Sequence, residues 1–222
     1  MRYLDLLTAL FATVLLVSNV ASTKLVVLGP FTFDGGTLLF PLAYIFGDVL
    51  TEVYGYRKSR RVIWIGFFAL LLATLTFQAV AHLPAPPDAE SQRFGEAFGL
   101  LLGLTPRIVL GSLLAYFLGE FANAYVLAKL KVRTEGRFFW LRALASTLVG
   151  QGMDTGDFLL LAFYGLFPKD VLLAVFLSNY AFKLGVEALM LPFTYAVVGF
   201  LKRAEGMDAY DRDTDFNPFR LT

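Results

Sequence analysis

The sequence predicts an all-α membrane protein: a polytopic bundle of six transmembrane helices with both termini in the cytoplasm. Three observations lead there. Of 222 residues, 57% are hydrophobic and 17% charged, with a mean hydropathy of +0.65, a balance unsuited to a water-soluble domain. Several stretches with few or no charges approach the length that crosses about 30 Å of hydrocarbon as a helix. Lys and Arg are distributed unevenly about those stretches. The strands of a β-barrel would instead alternate apolar and polar residues.

The apolar windows run from Leu4 to Leu28, Thr37 to Tyr54, Val62 to Leu83, Pro106 to Leu130, Phe138 to Phe167 and Val171 to Leu201. The first carries Asn19 and Lys24 and has no small-residue cleavage pattern, so it is expected to be retained rather than removed as a signal peptide. Punctuation falls between windows: Gly29-Pro30, Gly35-Gly36, Gly55, Pro84 to Pro87, Lys131 to Arg137 and Pro168. One set of connections and termini holds Arg2, Arg57, Lys58, Arg60, Arg61, Lys129, Lys131, Arg133, Arg137, Lys202 and Arg203; the opposite set holds Arg93, Arg107 and Lys169. The basic side is the cytoplasmic side. The 84–105 connection then lies outside, with a surface helix expected from Arg93 to Leu104. Residues 1–203 form one six-span domain. Residues 204–222, with Glu205, Asp208, Asp211, Asp213 and Asp215, are expected to form a disordered cytoplasmic tail, removable without loss of function.

Composition excludes several chemistries. With no Cys and a single His, His82, the chain offers neither disulfides nor thiolates, nor material for a His-based metal site or a Ser-His-Asp triad. No metal or cofactor is expected. The glycine-rich phosphate loop of ATPases is absent, so this chain does not use ATP directly.

Ionisable groups inside the apolar windows carry the functional signal, since a charge near a helix centre costs about 2.5–3.5 kcal/mol on insertion scales. At a rise of about 1.5 Å per residue, Asp48, Asp154 and Lys183 fall at mid-membrane depth. Glu120, Asn123, Asp157 and Glu187 are also deep, while Glu52 is placed near the cytoplasmic interface. Asp48 and Glu52 stand four residues apart, Gln151, Asp154 and Asp157 at steps of three, and Asn179, Lys183 and Glu187 at steps of four. Each set shares one helix face. Against five deep carboxylates (Asp48, Glu120, Asp154, Asp157, Glu187) stands one deep cation, Lys183. Protonation, water or a donor-rich ligand must satisfy the excess. Asp48 is the candidate for a bound proton, with Glu52 relaying it toward the Arg57–Arg61 segment. Pro41, Gly150, Gly152, Gly156 and Pro192 beside these faces are read as helix breakers of the transporter kind. Asp154-Thr155-Gly156 matches the triplet of soluble aspartic proteases, but it lies in a helical window and the match is rejected.

The chain resembles the bacterial queuosine precursor transporter family, also called the vitamin uptake transporter-like family. The resemblance lies in Ser18-Asn19, Phe40-Pro41, Asp48-x-x-x-Glu52-x-x-Gly55, Ala145-Ser146-Thr147 with Gly150, Asp154-Thr155 and Tyr180-x-x-Lys183, and extends over nearly the whole chain. It implies inner-membrane uptake of 7-cyano-7-deazaguanine and 7-aminomethyl-7-deazaguanine for salvage into modified tRNA. The substrate-binding candidates are Asn19, Tyr44, Asp48, Gln151, Asp154, Phe158, Tyr180 and Lys183; Glu52, Glu120, Asn123, Asp157 and Glu187 are candidates for a proton pathway or for supporting positions. A carboxylate suits the N–H edge of a guanine-like base, Lys183 or Asn19 its carbonyl, and aromatic rings its flat face. The expected partners are this small molecule and the lipid bilayer, with no nucleic acid bound. Self-association and an energising subunit are left open. The competing readings are a membrane-embedded enzyme using Asp154 and Asp157 as acid and base, and a structural subunit.

Overall fold

The computed structural model describes residues 1–28 and 31–220. Seven α-helices lie among them: α1 (Leu4–Ala21), α2 (Phe40–Tyr54), α3 (Tyr56–Ala81), α4 (Ala89–Leu102), α5 (Pro106–Arg133), α6 (Phe139–Phe163) and α7 (Lys169–Glu205). Four of these, α1, α3, α5 and α7, are long and apolar enough to cross a membrane. The architecture is all-α, apart from a two-stranded antiparallel hairpin of β1 (Leu25–Leu28) and β2 (Phe31–Asp34) paired from Leu25↔Asp34 to Leu28↔Phe31.

The first window is therefore shorter as a helix than its hydropathy suggests. It ends at Ala21, and the β-branched Val26 and Val27 that follow enter the hairpin, where branched side chains suit the pleat. The Gly29-Pro30 break lies outside the described residues. Leu7, Phe11, Leu15 and Ser18 form the buried stripe of α1, spaced at helical intervals and turned toward α2 and α3. Ser18 donates its hydroxyl to Gly36 O at 2.9 Å, tying α1 to the 3₁₀ turn Gly35–Leu38.

Helix α2 is the centre of the molecule. Residues Ala43 to Ile45 and Gly47 to Tyr54 are all buried, so α2 is enclosed on every side rather than presenting one stripe. Pro41 does not interrupt this helix; it occupies the first turn of α2, where its fixed φ and missing N–H are tolerated. Gly55, at φ 82°, turns the chain directly into α3. Arg57, Lys58, Arg60 and Arg61 belong to the first turns of α3 rather than to a loop.

The surface helix begins earlier than expected, at Ala89, because Asp88 caps it by accepting from Ser91 N at 2.8 Å. That contact holds the exposed Asp88 carboxyl below its ordinary range. His82, at the C-terminal end of α3, is exposed.

Helices α5 and α6 form the closest seam. A Cβ added at Gly119 would lie 2.7 Å from Asp154 Cβ, and one at Gly150 would lie 2.8 Å from Asn123 Cβ. Only glycine permits that approach, the small-residue packing typical of helices in lipid. The seam sets Glu120 and Asn123 of α5 against Gln151 and Asp154 of α6.

Residues 204–220 are tied to the helices rather than free. Helix α7 continues to Glu205, whose carboxylate accepts from Arg2 N, Tyr3 N and Tyr54 Oη at 2.9, 2.7 and 2.9 Å. Beyond Gly206 the chain crosses the ends of α2, α3 and α5. Asp211 accepts from Tyr56 N at 2.9 Å, Arg60 donates to Asp215 O and Asn217 O, and Trp64 Nε1 donates to Pro218 O. Phe216 packs on Tyr56 and Tyr125, and Phe219 stacks on Phe117. The acidic composition concealed these anchors: Asp211 is itself buried, and the aromatic residues are spaced so that each meets a helix end.

Candidate functional site

Two polar assemblies lie along α2, one helical turn apart. The deeper one is built around Asp48, which is fully buried. Its Oδ1 accepts from Asn123 Nδ2 of α5 at 2.9 Å. Gly47 beside it leaves room for the Glu120 carboxylate, which would lie 3.2 Å from an added Cβ. Across the α5–α6 seam stand Thr147, Gln151 and Asp154, and from α7 come Lys183 and Glu187. Lys183 Nζ is 3.3 Å from Asp154 Oδ2 and 3.4 Å from Thr155 Oγ1. Among the described residues this is the one ion pair made by the five deep carboxylates. Tyr44, 1% exposed, lies among Asp154, Glu120 and Glu187.

Five buried side-chain atoms in this region have no hydrogen-bond partner: Asp48 Oδ2, Asn123 Oδ1, Thr147 Oγ1, Gln151 Oε1 and Glu187 Oε1. Asn123, Gln151, Asp48 and Glu187 offer oxygens that can only accept while the carboxyls are ionised, and only Thr147 can also donate. The assembly is short of donors. Because an unsatisfied buried polar atom costs about 1–3 kcal/mol, the arrangement suits a group that brings N–H donors or protons.

The aromatic candidates line the neighbouring α6–α7 face. Tyr180 donates to Leu148 O at 2.8 Å and stacks on Phe176 with ring centres 5.3 Å apart. Gly152 and Gly156 give those rings a flat floor, with added Cβ atoms 3.7 Å from Tyr180 and Phe176 respectively. These two glycines lie within a continuous α6 and do not break it. Phe158 meets Phe163 edge-on at 5.5 Å. The Lys183 and Asp154 side chains are each 12% accessible, so the site is closed at Asp48 and slightly open at α6 and α7. Asp157 is half-buried on α6, and Asn19 half-buried on α1; no described contact ties Asn19 to the assembly. A depression of about 590 Å³ lined by Leu83, Pro84, Gln92 and Phe94 lies instead between α3 and α4, away from all of these groups.

The second assembly surrounds Glu52. This residue is 1% exposed. Arg142 of α6 donates to both of its carboxylate oxygens, one at 3.2 Å, and Lys202 of α7 to Oε1 at 2.7 Å. Lys131 of α5 lies 3.5 Å from the same oxygen and also donates to Glu52 O. Asp208, just past α7, bridges Lys131 and Lys202, the latter at 2.9 Å. Burial would raise the Asp208 carboxyl, but the hydrogen bonds from Lys131 and Lys202 outweigh it and hold it below its ordinary range. Glu52 thus joins α2 to α5, α6 and α7, and Asp48 shares none of these contacts. Arg142 is not among the residues read from the sequence, while Lys131 and Lys202 enter there as topology charges, Asp208 as part of the tail and Thr147 as part of the family resemblance, none as a site candidate. The one available signal was Arg142, a charge set inside an apolar window.

Comparison with known proteins decides the family. The description "Putative vitamin uptake transporter" matches residues 34–197. This chain belongs to that family. A "Probable queuosine precursor transporter" of Bacillus subtilis (strain 168) is 36% identical over 188 residues, covering 84% of this chain and 80% of that protein. The "Queuosine precursor transporter" of Escherichia coli (strain K12) is 26% identical over 168 residues, covering 73% of this chain and 71% of its own length. A "Probable queuosine precursor transporter" of Haemophilus influenzae is 25% identical over 166 residues. No solved structure matches. The family consists of transporters, which sets aside the reading of Asp154 and Asp157 as an enzymatic acid–base pair. Both glycines of the α5–α6 seam and both assemblies on α2 lie within the matched region, except for Lys202 and Asp208.

Proposed function

We propose that this chain is a bacterial inner-membrane carrier with six transmembrane helices (α1, α2, α3, α5, α6 and α7) and cytoplasmic termini, which takes up 7-cyano-7-deazaguanine and 7-aminomethyl-7-deazaguanine. The relatives' names supply the substrate class. The observation that carries the proposal to this chain is the donor-poor cluster buried between α2, α5, α6 and α7. A 7-deazaguanine presents adjacent N–H donors on one edge. Gln151 Oε1 and the Asp154 carboxylate accept them, Lys183 donates to the ring carbonyl, and Tyr180 and Phe158 provide the apolar wall. The aminomethyl form also brings a cation into an acid-rich site; the cyano form gains nothing there.

Two features support the orientation. Lys and Arg are concentrated on one side of the apolar windows. The N-terminus and the end of α7 meet at Glu205, which supports placing both on the same side with an even number of crossings between them. At about 1.5 Å per residue, the 15-residue α2 is short for a full crossing, and its burial among the other helices removes the need to match the lipid.

The test is supply of labelled precursor to cells unable to synthesise it, followed by measurement of uptake and of queuosine in tRNA. Expression of this chain should restore both. A chain that inserts in the membrane yet restores neither, with either precursor, would refute the proposal.

A further inference from the structure

Two of the partnerless atoms belong to carboxyl groups on different helices, Asp48 Oδ2 on α2 and Glu187 Oε1 on α7. The two carboxyls stand within hydrogen-bonding reach of each other. Two ionised carboxylates cannot hydrogen-bond, since neither has a proton to donate. Among the described residues no donor reaches Asp48 Oδ2 or Glu187 Oε1. Asn123 already donates to Asp48 Oδ1, and its own Oδ1 is an acceptor without a partner. Glu120 faces the pair from α5 and Asp154 from α6, both acidic, while Lys183 of α7 is engaged by Asp154 and Thr155. Tyr44 of α2 lies beside Glu187. Asp48 is 0% exposed and Glu187 1%, so bulk water does not separate the charges.

We infer that Asp48 and Glu187 share one proton, held between Asp48 Oδ2 and Glu187 Oε1, and that this proton is the ion whose movement is coupled to solute. A single proton satisfies both orphaned oxygens, removes one of two facing negative charges, and ties α2 to α7. Its loss leaves two carboxylates in a sealed pocket, which favours separation of the helices. Glu52, four residues away, is not the partner: it is saturated by Arg142, Lys202 and Lys131. The coupling role rests on the transport reading; the shared proton does not.

Infrared spectroscopy of the purified full-length protein separates the two. At neutral pH the wild-type chain should show a protonated-carboxyl C=O band that shifts in D₂O. Asp48→Asn and Glu187→Gln should each remove the same component of that band, and Glu120→Gln and Asp157→Asn should keep that component. Asp48→Asn leaves an amide that can donate to Glu187, so this variant should fold. Absence of the band in wild type, or survival of that component in both Asp48→Asn and Glu187→Gln, overturns the inference. In proteoliposomes, an inward proton gradient should raise precursor uptake by the wild-type chain, and in Glu187→Gln the ratio of uptake with and without the gradient should fall to unity. A band that behaves as expected in a protein that moves no precursor would refute transport of these compounds and leave the proton site standing. Precursor exchange without the band would do the reverse.

Discussion

Replacing Glu52 by Gln should harm the protein far more than replacing Arg142 by Gln, although the two residues face each other. The assembly holds three cations, Arg142, Lys131 and Lys202, against two carboxylates, Glu52 and Asp208. Glu52→Gln leaves three positive charges facing Asp208 alone, and Arg142, with a side chain 1% accessible, loses the one carboxylate it pairs with among the described residues. Stranding a buried charge costs about 3–5 kcal/mol. Arg142→Gln leaves two cations and two carboxylates, a balanced set; its bonds to Glu52 pass to the introduced amide and to Lys202 and Lys131, and the bonds to Arg137 O and Gly136 O are lost, at about 1 kcal/mol each. The expected gap is about 2 kcal/mol, or roughly 4–8 °C in apparent midpoint for a chain of this size. Thermal unfolding of the detergent-purified variants, followed by size-exclusion recovery, measures it. The double variant should lose less than the sum of the two single losses. If Arg142→Gln unfolds as early as Glu52→Gln, the charge balance drawn from the assembly is wrong.

The pH dependence of the C-terminal segment follows from Asp208, whose carboxyl is held low by Lys131 and Lys202. A depressed folded-state value stabilises docking above the ordinary carboxylate range of about 4 and is lost as pH falls through the lower value; in a Trp140→Phe background, Trp64 fluorescence should stay constant near neutrality and change below that range as Pro218 leaves the indole. Truncation after Gly206 should lower thermal stability, because Tyr56 N, Arg60 and Trp64 lose their partners; an unchanged midpoint would mean that the segment does not dock. At the α5–α6 seam, Gly150→Val should abolish recovery of folded protein, while Gly199→Ala, where an added Cβ meets nothing within 4 Å, should be recovered as wild type. Asp154→Asn and Lys183→Ala should each stop uptake with protein still inserted; if the double variant transports better than either single one, their 3.3 Å pair is structural rather than part of the binding site.

The fold class was legible because lipid imposes length and hydropathy on every crossing segment, and those are properties of a linear window. Pairing was not. The periodicity of Asp48 and Glu52 put both on one face of α2, and they do share it, but periodicity is silent about what faces them. Glu187 could not be matched to Asp48, nor Arg142 to Glu52, without the crossing of α2 by α6 and α7. The glycine seam shows the same limit. Gly119 and Gly150 are two small residues among many in apolar stretches, and only their mutual approach explains why Asn123 and Asp154 meet across the α5–α6 seam. The docking of the C-terminal segment was not legible because five acids dominate its composition, while its attachment depends on single residues (Asp211, Phe216, Pro218, Phe219) whose partners lie on helices far back in the chain.

The two assemblies on α2 meet the same partner helix on opposite sides of a weak point. Glu187 lies before Pro192 in α7 and Lys202 after it. Proline has no N–H to give the carbonyl one turn earlier, so α7 lacks a backbone bond between its two attachments to α2 and bends there at lower cost than elsewhere. The lower attachment is an ion network with several members: Glu52 retains cationic partners if any one contact lengthens. The upper attachment, on the shared-proton reading, depends on one proton. Loss of that proton therefore releases from α2 the half of α7 that carries Tyr180 and Lys183, which keeps its contacts to α6, while the half carrying Lys202 stays fixed to Glu52 and Asp208. Two of the residues assigned to substrate, Tyr180 and Lys183, then lie on the freed half, Gln151, Asp154 and Phe158 remain on α6, and the tail stays docked on the fixed half. Helix α2, enclosed on all sides, is the frame against which that movement occurs.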